Sequence, residues 1–441
     1  MNRSHKIIYF WSSALIVALA VVILALRFDA TNRDQAYVAQ FVGKNVEVSG
    51  TVFDDPDTAV DGLTKLRLNN LYFGNDRNVK ANLYVTISGS EDVRRSDQVT
   101  ISGKLSGNFG SFAGSIYRGS VIKIERPVPG DLALEARDAF GNLIKEKIEE
   151  PKSSLALGYL LGARRALPSD IVEVLKIVGL THIVVASGYN LTILVRFTRR
   201  IFGKVSHFAS FFFALVLVFG FIAITGASPS MVRAGIVSVL SLTAWYLGRN
   251  FHPVRLLFIT AVATLLLNPT YINDLGWQLS FAAFAGVMIF SPVITKYFYG
   301  DKKPNFLAQV LLETLSATLL TLPILLFNFG FFSLVALPAN ILILPTIPLV
   351  MATVFLTGGF SFLAILSQFF AFISSIILQY HLAVMDFFGR QTWAIVEANI
   401  GLIGMTTLYV GIFAIWFYMK KVSRAQLLTV NIVKWDYEKD D

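Results

Sequence analysis

No cysteine occurs anywhere in the 441 residues, which excludes a disulfide framework, a thiolate metal site and thiol redox chemistry. Histidine is nearly as scarce: His5, His182, His207, His252 and His381 are the full set, and no two stand at a metal-ligand spacing. An HExxH pair and a P-loop are both missing, so neither a metallohydrolase nor an ATPase is expected. The chain is read as a non-enzyme without cofactor or metal, and energy for any directional transport must come from another protein or an ion gradient. Charge is short too, at 15% of residues against roughly 25% in an ordinary soluble domain. Apolar residues take its place, with 54% hydrophobic side chains and a mean hydropathy of +0.60.

Apolar runs long enough to cross about 30 Å of hydrocarbon recur through the second half, whereas 27–150 contains none. The run 7–26 follows Arg3, His5 and Lys6 but is too long, and lacks a convincing cleavage site, for a signal peptide, so it is read as an anchor. Further crossings are expected at 180–194, 211–225, 231–247, 254–267, 277–294, 306–327, 334–355, 360–384 and 401–419, about ten in all. The formal charge of +9 is no nucleic-acid signal in itself. Residues 27–150 hold 16 basic and 18 acidic side chains, and the excess lies in short loops such as Arg196 to Lys204 or Lys302 and Lys303. Placing every basic cluster in the cytoplasm puts both termini inside and 27–150 outside.

Within that insert, Val46 to Val52 alternates apolar and polar residues, the period of a half-buried strand. Similar runs at 66–72, 83–87, 99–105 and 121–124 suggest a small antiparallel barrel of the OB type over 27–128. Tyr72, Phe73, Tyr84, Phe112 and Tyr117 are candidate stacking platforms for single-stranded DNA, with Lys65, Arg67, Lys80 and Arg118 as phosphate contacts. The plainer role for such aromatics is the barrel's own core. Residues 129–178 read as amphipathic helices, lying on the membrane surface or, second, packed on the channel helices. The membrane region then fills 179–419 and a short cytoplasmic tail 420–441, which completes a polytopic α-helical membrane protein with an external small β-barrel.

Polar residues in apolar spans point to pathways or to buried pairs. His182 and Asn190 are eight residues apart and would share one side of a helix, with Ser187-Gly188 a break between them; close helix packing is the alternative. Ser228-Pro229 reads as N-cap and first helical residue, which places Arg233 one turn inside the outer end. Arg233 offers a bidentate contact to phosphate, or else an ion pair with Asp274 or a snorkelling contact. Gln278 and Ser280 are polar in the sixth crossing, and Gln309, Glu313 and Ser316 form a stripe that suits helix–helix contact in the seventh. Pro338, Asn340, Pro345 and Pro348 break the eighth, which suits a path lined by an interrupted helix.

Four of these segments resemble motifs of the ComEC family of competence proteins, in family order. They are Gly179-Leu180-Thr181-His182-Ile183-Val184-Val185-Ala186-Ser187-Gly188, then Pro229-Ser230-Met231-Val232-Arg233-Ala234, Gln278-Leu279-Ser280-Phe281, and Ala339-Asn340-Ile341-Leu342-Ile343-Leu344-Pro345. The resemblance implies a channel importing one DNA strand during natural transformation. It also implies an external DNA receptor or pilus, a cytoplasmic helicase or ATPase and a separate nuclease as partners, and leaves homo-oligomer formation open. Tyr189-Asn190 stands where the family often has Leu-His. After Met419 no histidine follows, whereas many members carry a metallo-β-lactamase-like nuclease domain there. The competing class is a membrane enzyme or transporter for a lipid-linked or small-molecule substrate, with the barrel as a lid.

Overall fold

The period-two stretches become five long strands: β1 (Asn45–Val52), β3 (Leu63–Phe73), β5 (Leu83–Ser88), β6 (Gln98–Ser106) and β7 (Gly114–Glu125), with two-residue strands β2 (Asp57–Thr58) and β4 (Asn78–Val79) between them. The computed structural model describes residues 3–58, 62–74, 78–88, 91–163, 167–184, 187–204 and 206–425, with side chains from Leu19 onward. Val185-Ala186 of the first motif and tail residues 426–441 lie outside the described residues. Two units form, one from residues up to Asp131 with Phe258–Gln278, the other from Leu132–Leu257 with Leu279 onward.

In the first unit β1 pairs with β3, β3 with β5, β5 with β7, β7 with β6 and β6 again with β1, so the five long strands close into an OB-like barrel. Sequence alternation suggests an all-antiparallel barrel, but β5 and β7 run parallel. Alternation specifies which face of a strand is buried and says nothing about the direction of its neighbour. The inward residues, among them Val48, Leu66, Leu83, Ile101 and Ile116, are fully buried. Gly103 and Gly119 make room for them: a Cβ on Gly103 would stand 2.4 Å from Ile116 Cγ2, and one on Gly119 2.7 Å from Ile101 Cγ2.

Helix α1 (Arg3–Ala39) contains the first apolar run and continues past residue 26 into a polar stretch. Its last turn supplies Tyr37 and Val38, and Phe41 follows, to close one end of the barrel core. Phe73 belongs to that plug. It is 7% exposed and stacks on Phe41 at 4.9 Å, with Tyr37 edge-on at 6.2 Å. A ring so enclosed has no free face, which removes Phe73 from the candidate stacking platforms.

In the second unit, helix α2 (Leu132–Lys145) turns its apolar face to protein: Leu134, Gly141 and Ile144 are buried. Helix α3 (Lys152–Leu161) is buried from Ser153 to Leu161, and α4 (Ser169–Ile177) adds Leu175 to the same core. The expected span 180–194 is not one helix but a short turn, α5 (Thr181–Val184), followed by α6 (Gly188–Phe202). After α7 (His207–Thr225), helices α8 (Pro229–Tyr246) and α9 (Pro253–Leu267), the latter belonging to the first unit from Phe258 onward, continue the apolar pattern at shorter length.

Among the described residues, six helices are long and apolar enough to span a membrane: His207–Thr225, Leu275–Tyr299, Phe306–Phe329, Ala336–Gly359, Ala364–Gly389 and Leu402–Ser423. Two of the six are interrupted. Leu275–Tyr299 is split into α10 (Leu275–Ala285) and α11 (Ser291–Tyr299) by a π-helical turn at Gly286–Phe290. After α12 (Phe306–Phe329), Ala336–Gly359 is split into α13 (Ala336–Ile343) and α14 (Ile347–Gly359) by a 3-10 turn at Leu344–Thr346. The last two spans are α15 (Ala364–Gly389) and α16 (Leu402–Ser423). Residues of α3, α14 and α15 share one core, and a Cβ on Gly358 of α14 would meet the Phe140 ring of α2 at 2.5 Å. These contacts pack α2 and α3 against the long apolar helices of the same unit.

Candidate functional site

Most of the sequence motifs converge in the second unit. Ser187 caps α6, its side chain accepting from Asn190 N–H at 3.4 Å and donating to Asn190 Oδ1 at 3.2 Å. Asn190 is 0% exposed and donates through Nδ2 to the carbonyls of Tyr159, at 3.0 Å, and Ile183, at 3.4 Å. These bonds fix the start of α6 to α3 and α5. His182 lies apart from Asn190, exposed on α5, with Nδ1 3.0 Å from the Gly179 carbonyl. The shared helix face expected for the two is therefore lost, because the backbone breaks between them.

Gly188, next to the cap, leaves space for Arg233. A Cβ there would stand 2.9 Å from Arg233 Nη2 and 3.1 Å from Ala234 Cβ. Arg233 enters from α8, whose first turn is formed as its sequence predicts: Ser228 accepts from Met231 N–H at 3.4 Å and Pro229 follows the cap. Arg233 Nε donates to Ser280 Oγ at 2.7 Å, and its guanidinium carbon lies 5.2 Å from the Phe284 ring centre. The residue is 9% exposed, yet among the described residues no carboxylate pairs with it. Three motifs thus meet at one cation.

The fourth motif joins through Tyr189, whose hydroxyl donates to the Leu344 carbonyl at 3.4 Å. Pro345 and Pro348 explain the break there, since neither has an N–H to return to the preceding turn. Asn340 is buried on α13, and among the described residues its Oδ1 has no hydrogen-bond partner.

Asp274 and Gln278 belong to the first unit and have structural occupations. Asp274 caps α10, accepting from Trp277 N–H at 2.8 Å through Oδ1 and from Ser111 Oγ at 3.3 Å through Oδ2. The ion pair considered for Arg233 is thus replaced by a bond to Ser280, and Asp274 is engaged elsewhere. Gln278 Nε2 donates back to the Ile272 carbonyl at 2.8 Å. Burial, then the carboxylates of Asp274 and Asp54, push the Tyr271 hydroxyl above its usual range.

On the barrel, Lys65, Arg67 and Tyr84 share an outward face of β3 and β5, with Arg67 opposite Tyr84. Arg67 forms an ion pair with Asp54, and Lys65 stands opposite Asp57 in the pairing of β3 with β2. Tyr84 lies 5.1 Å from Phe109 and 5.6 Å from Phe112, ring centre to ring centre, and Phe109 is 54% exposed. Phe109 is absent from the sequence-derived candidates, although Phe109-Gly110-Ser111-Phe112, a turn between two aromatics, is the signal that marks it. Tyr117 and Arg118 stack on each other at 5.5 Å along β7. Tyr72 accepts from Asn78 Nδ2 at 2.9 Å at the far end of β3, and Lys80 is exposed just beyond β4.

A helical unit with interrupted apolar spans and a buried arginine that meets no carboxylate among the described residues, in one chain with an OB-like barrel, defines a polytopic membrane protein with a small β-barrel domain. The Competence protein family model matches residues 159–422, more than half of the chain, and the chain belongs to that family. It is 28% identical over 188 residues to ComE operon protein 3 of Bacillus subtilis (strain 168), covering 42% of this chain and 23% of that protein. It is 26% identical over 224 residues to an uncharacterized protein of Aquifex aeolicus (strain VF5), covering 49% of each. The chain thus aligns with half or less of the length of these relatives. No solved structure matches.

Proposed function

We propose that this chain forms a membrane channel that imports single-stranded DNA during natural transformation. The observation that carries the reading is Arg233, a buried cation with no carboxylate beside it among the described residues, held where three family motifs meet. A guanidinium in that state is set for an anion passing in front of it, and a nucleic-acid phosphate fits its planar fork. An external receptor or pilus would deliver the DNA, a cytoplasmic helicase or ATPase would pull it, and a separate nuclease would remove the other strand, the channel itself doing no covalent chemistry.

The barrel, placed outside the cell, would bind the strand by stacking on Phe109, Tyr84 and Phe112 more than by charge, since Arg67 and Lys65 face Asp54 and Asp57. That acidic pairing also favours the second reading, a handler of lipid-linked or small-molecule substrates with the barrel as lid. The test uses the full chain in lipid nanodiscs and a fluorescent single-stranded oligonucleotide. Affinity is expected to fall with salt, and Phe109→Ala to weaken it by about 1–3 kcal/mol, the worth of one stacked base. Equal affinity for the native chain and Phe109→Ala would remove the barrel from the pathway, and absence of salt-dependent binding would favour the second reading.

The same reading sets the topology. Ser106→Cys on β6 should react with a membrane-impermeant maleimide in intact cells whose outer envelope is opened, and Lys302→Cys only after the inner membrane is permeabilised. The reverse pattern would invert the orientation.

A further inference from the structure

The break between α13 and α14 frees backbone carbonyls, and hydroxyl groups take them up in a pattern. Pro348 has no N–H for the Leu344 carbonyl, which accepts from the Ile347 N–H within the 3-10 turn and, on its other side, from the Tyr189 hydroxyl at 3.4 Å. The Leu342 carbonyl accepts from the Tyr380 hydroxyl of α15 at 3.2 Å, and the Ile343 carbonyl from Thr346 Oγ1 at 2.8 Å. With its one hydroxyl proton committed to Ile343, Thr346 can only accept from His381, whose Nε2 is 2.6 Å away.

These bonds fall into two kinds. The Thr346–His381 contact is short and His381 is fully buried, edge-on to Tyr159 at 5.5 Å between ring centres. The tyrosine bonds are longer and reach from side chains 44% exposed at Tyr189 and 39% exposed at Tyr380. Tyr189 also has a fixed base. Ser187 and Asn190 lock the start of α6, and Gly188 beside it abuts Arg233. One residue therefore separates the broken helix from the cation.

We propose that Tyr189 and Tyr380 are positioning residues, paired hydroxyl clips that hold α13 closed beside the Arg233 site, and that α13 swings about the Thr346–His381 bond to open the path. The inference rests on the channel reading for its purpose but not for its test, which needs no DNA. Absence of native cysteine allows a single reporter, Ala339→Cys, at a fully buried position of α13. Its rate of reaction with a thiol reagent is measured on the full chain in lipid vesicles, together with the unfolding midpoint.

Tyr189→Phe and Tyr380→Phe remove one oxygen each. Each alone should raise the rate about threefold and the pair about tenfold, the factor given by roughly 1.4 kcal/mol of lost bonding, with the midpoint little changed. An unchanged rate in the double variant would overturn the proposal. So would a lowered midpoint without a faster reaction, the signature of a merely structural role. Should Ala339→Cys fail to accumulate, Asn340→Cys, also buried on α13, replaces it as reporter. A faster reaction combined with no salt-dependent binding of single-stranded DNA by the native chain would keep the clips and remove the channel reading.

Discussion

Arg233→Gln should reduce DNA uptake at least tenfold while the protein accumulates normally. Charge-assisted hydrogen bonds contribute about 1.5–3 kcal/mol each, so losing one phosphate contact in the path lowers passage by roughly one to two powers of ten. Normal accumulation follows from the structure. An arginine removed from a buried ion pair leaves a carboxylate stranded and destabilises the fold by about 3–5 kcal/mol. Arg233 has Ser280 as its hydrogen-bond partner, and the amide of a glutamine can still donate to that hydroxyl. Arg233→Lys should fall between the two, since it keeps the charge but loses the planar fork. Uptake and protein level are measured together in a strain lacking the native copy. Normal uptake by Arg233→Gln at normal abundance would exclude the residue and leave the segment around Asn340 as the remaining candidate.

Gly286→Val should remove most of the folded protein. Gly286 opens the π-helical turn between α10 and α11, and a Cβ there would stand 2.5 Å from the Ser316 carbonyl oxygen and 2.8 Å from Ala317 Cα. Both obstacles are backbone atoms of α12, which cannot rotate aside as a side-chain tip can. Forcing the helices apart costs about 1–3 kcal/mol for an added methyl group and more for a branched side chain. Gly411→Ala is the matched control, because nothing among the described residues lies within 4 Å of a Cβ at that position of α16. The control should be neutral or slightly stabilising, since alanine is preferred to glycine in a helix by about 0.5–1 kcal/mol. Unfolding midpoints in lipid decide the comparison, and equal midpoints for the two variants would show that α12 can yield.

Much of the candidate site was visible as local signals. Ser228-Pro229 announced the start of α8, and Pro345 with Pro348 announced the break in the eighth span. The outcome for each candidate cation and aromatic was not visible, because it depends on partners far along the chain. Ser280, which holds Arg233, is 47 residues away, and Leu344, which receives Tyr189, is 155 residues away. Phe73 looked like its neighbour Tyr72, yet strand alternation sends one outward and the other against Phe41. Asp54 and Asp57 lie close in sequence to Lys65 and Arg67, but only the folded β-sheet pairs them.

The sequence alone determined that this is a membrane protein with a small barrel, where the barrel's long strands and the six long apolar helices among the described residues fall, and which motifs it shares with its family. Each of these follows from a short-range rule: strand residues alternate with period two, a span needs about 20 apolar residues, and proline cannot donate within a helix. Only the tertiary structure decided that β5 and β7 run parallel, that His182 and Asn190 part company, and that Gly188, Arg233 and Ser280 meet. Those outcomes depend on how buried faces close over one another, and a close-packed interior lets each side chain choose its neighbours only after every element around it is in place.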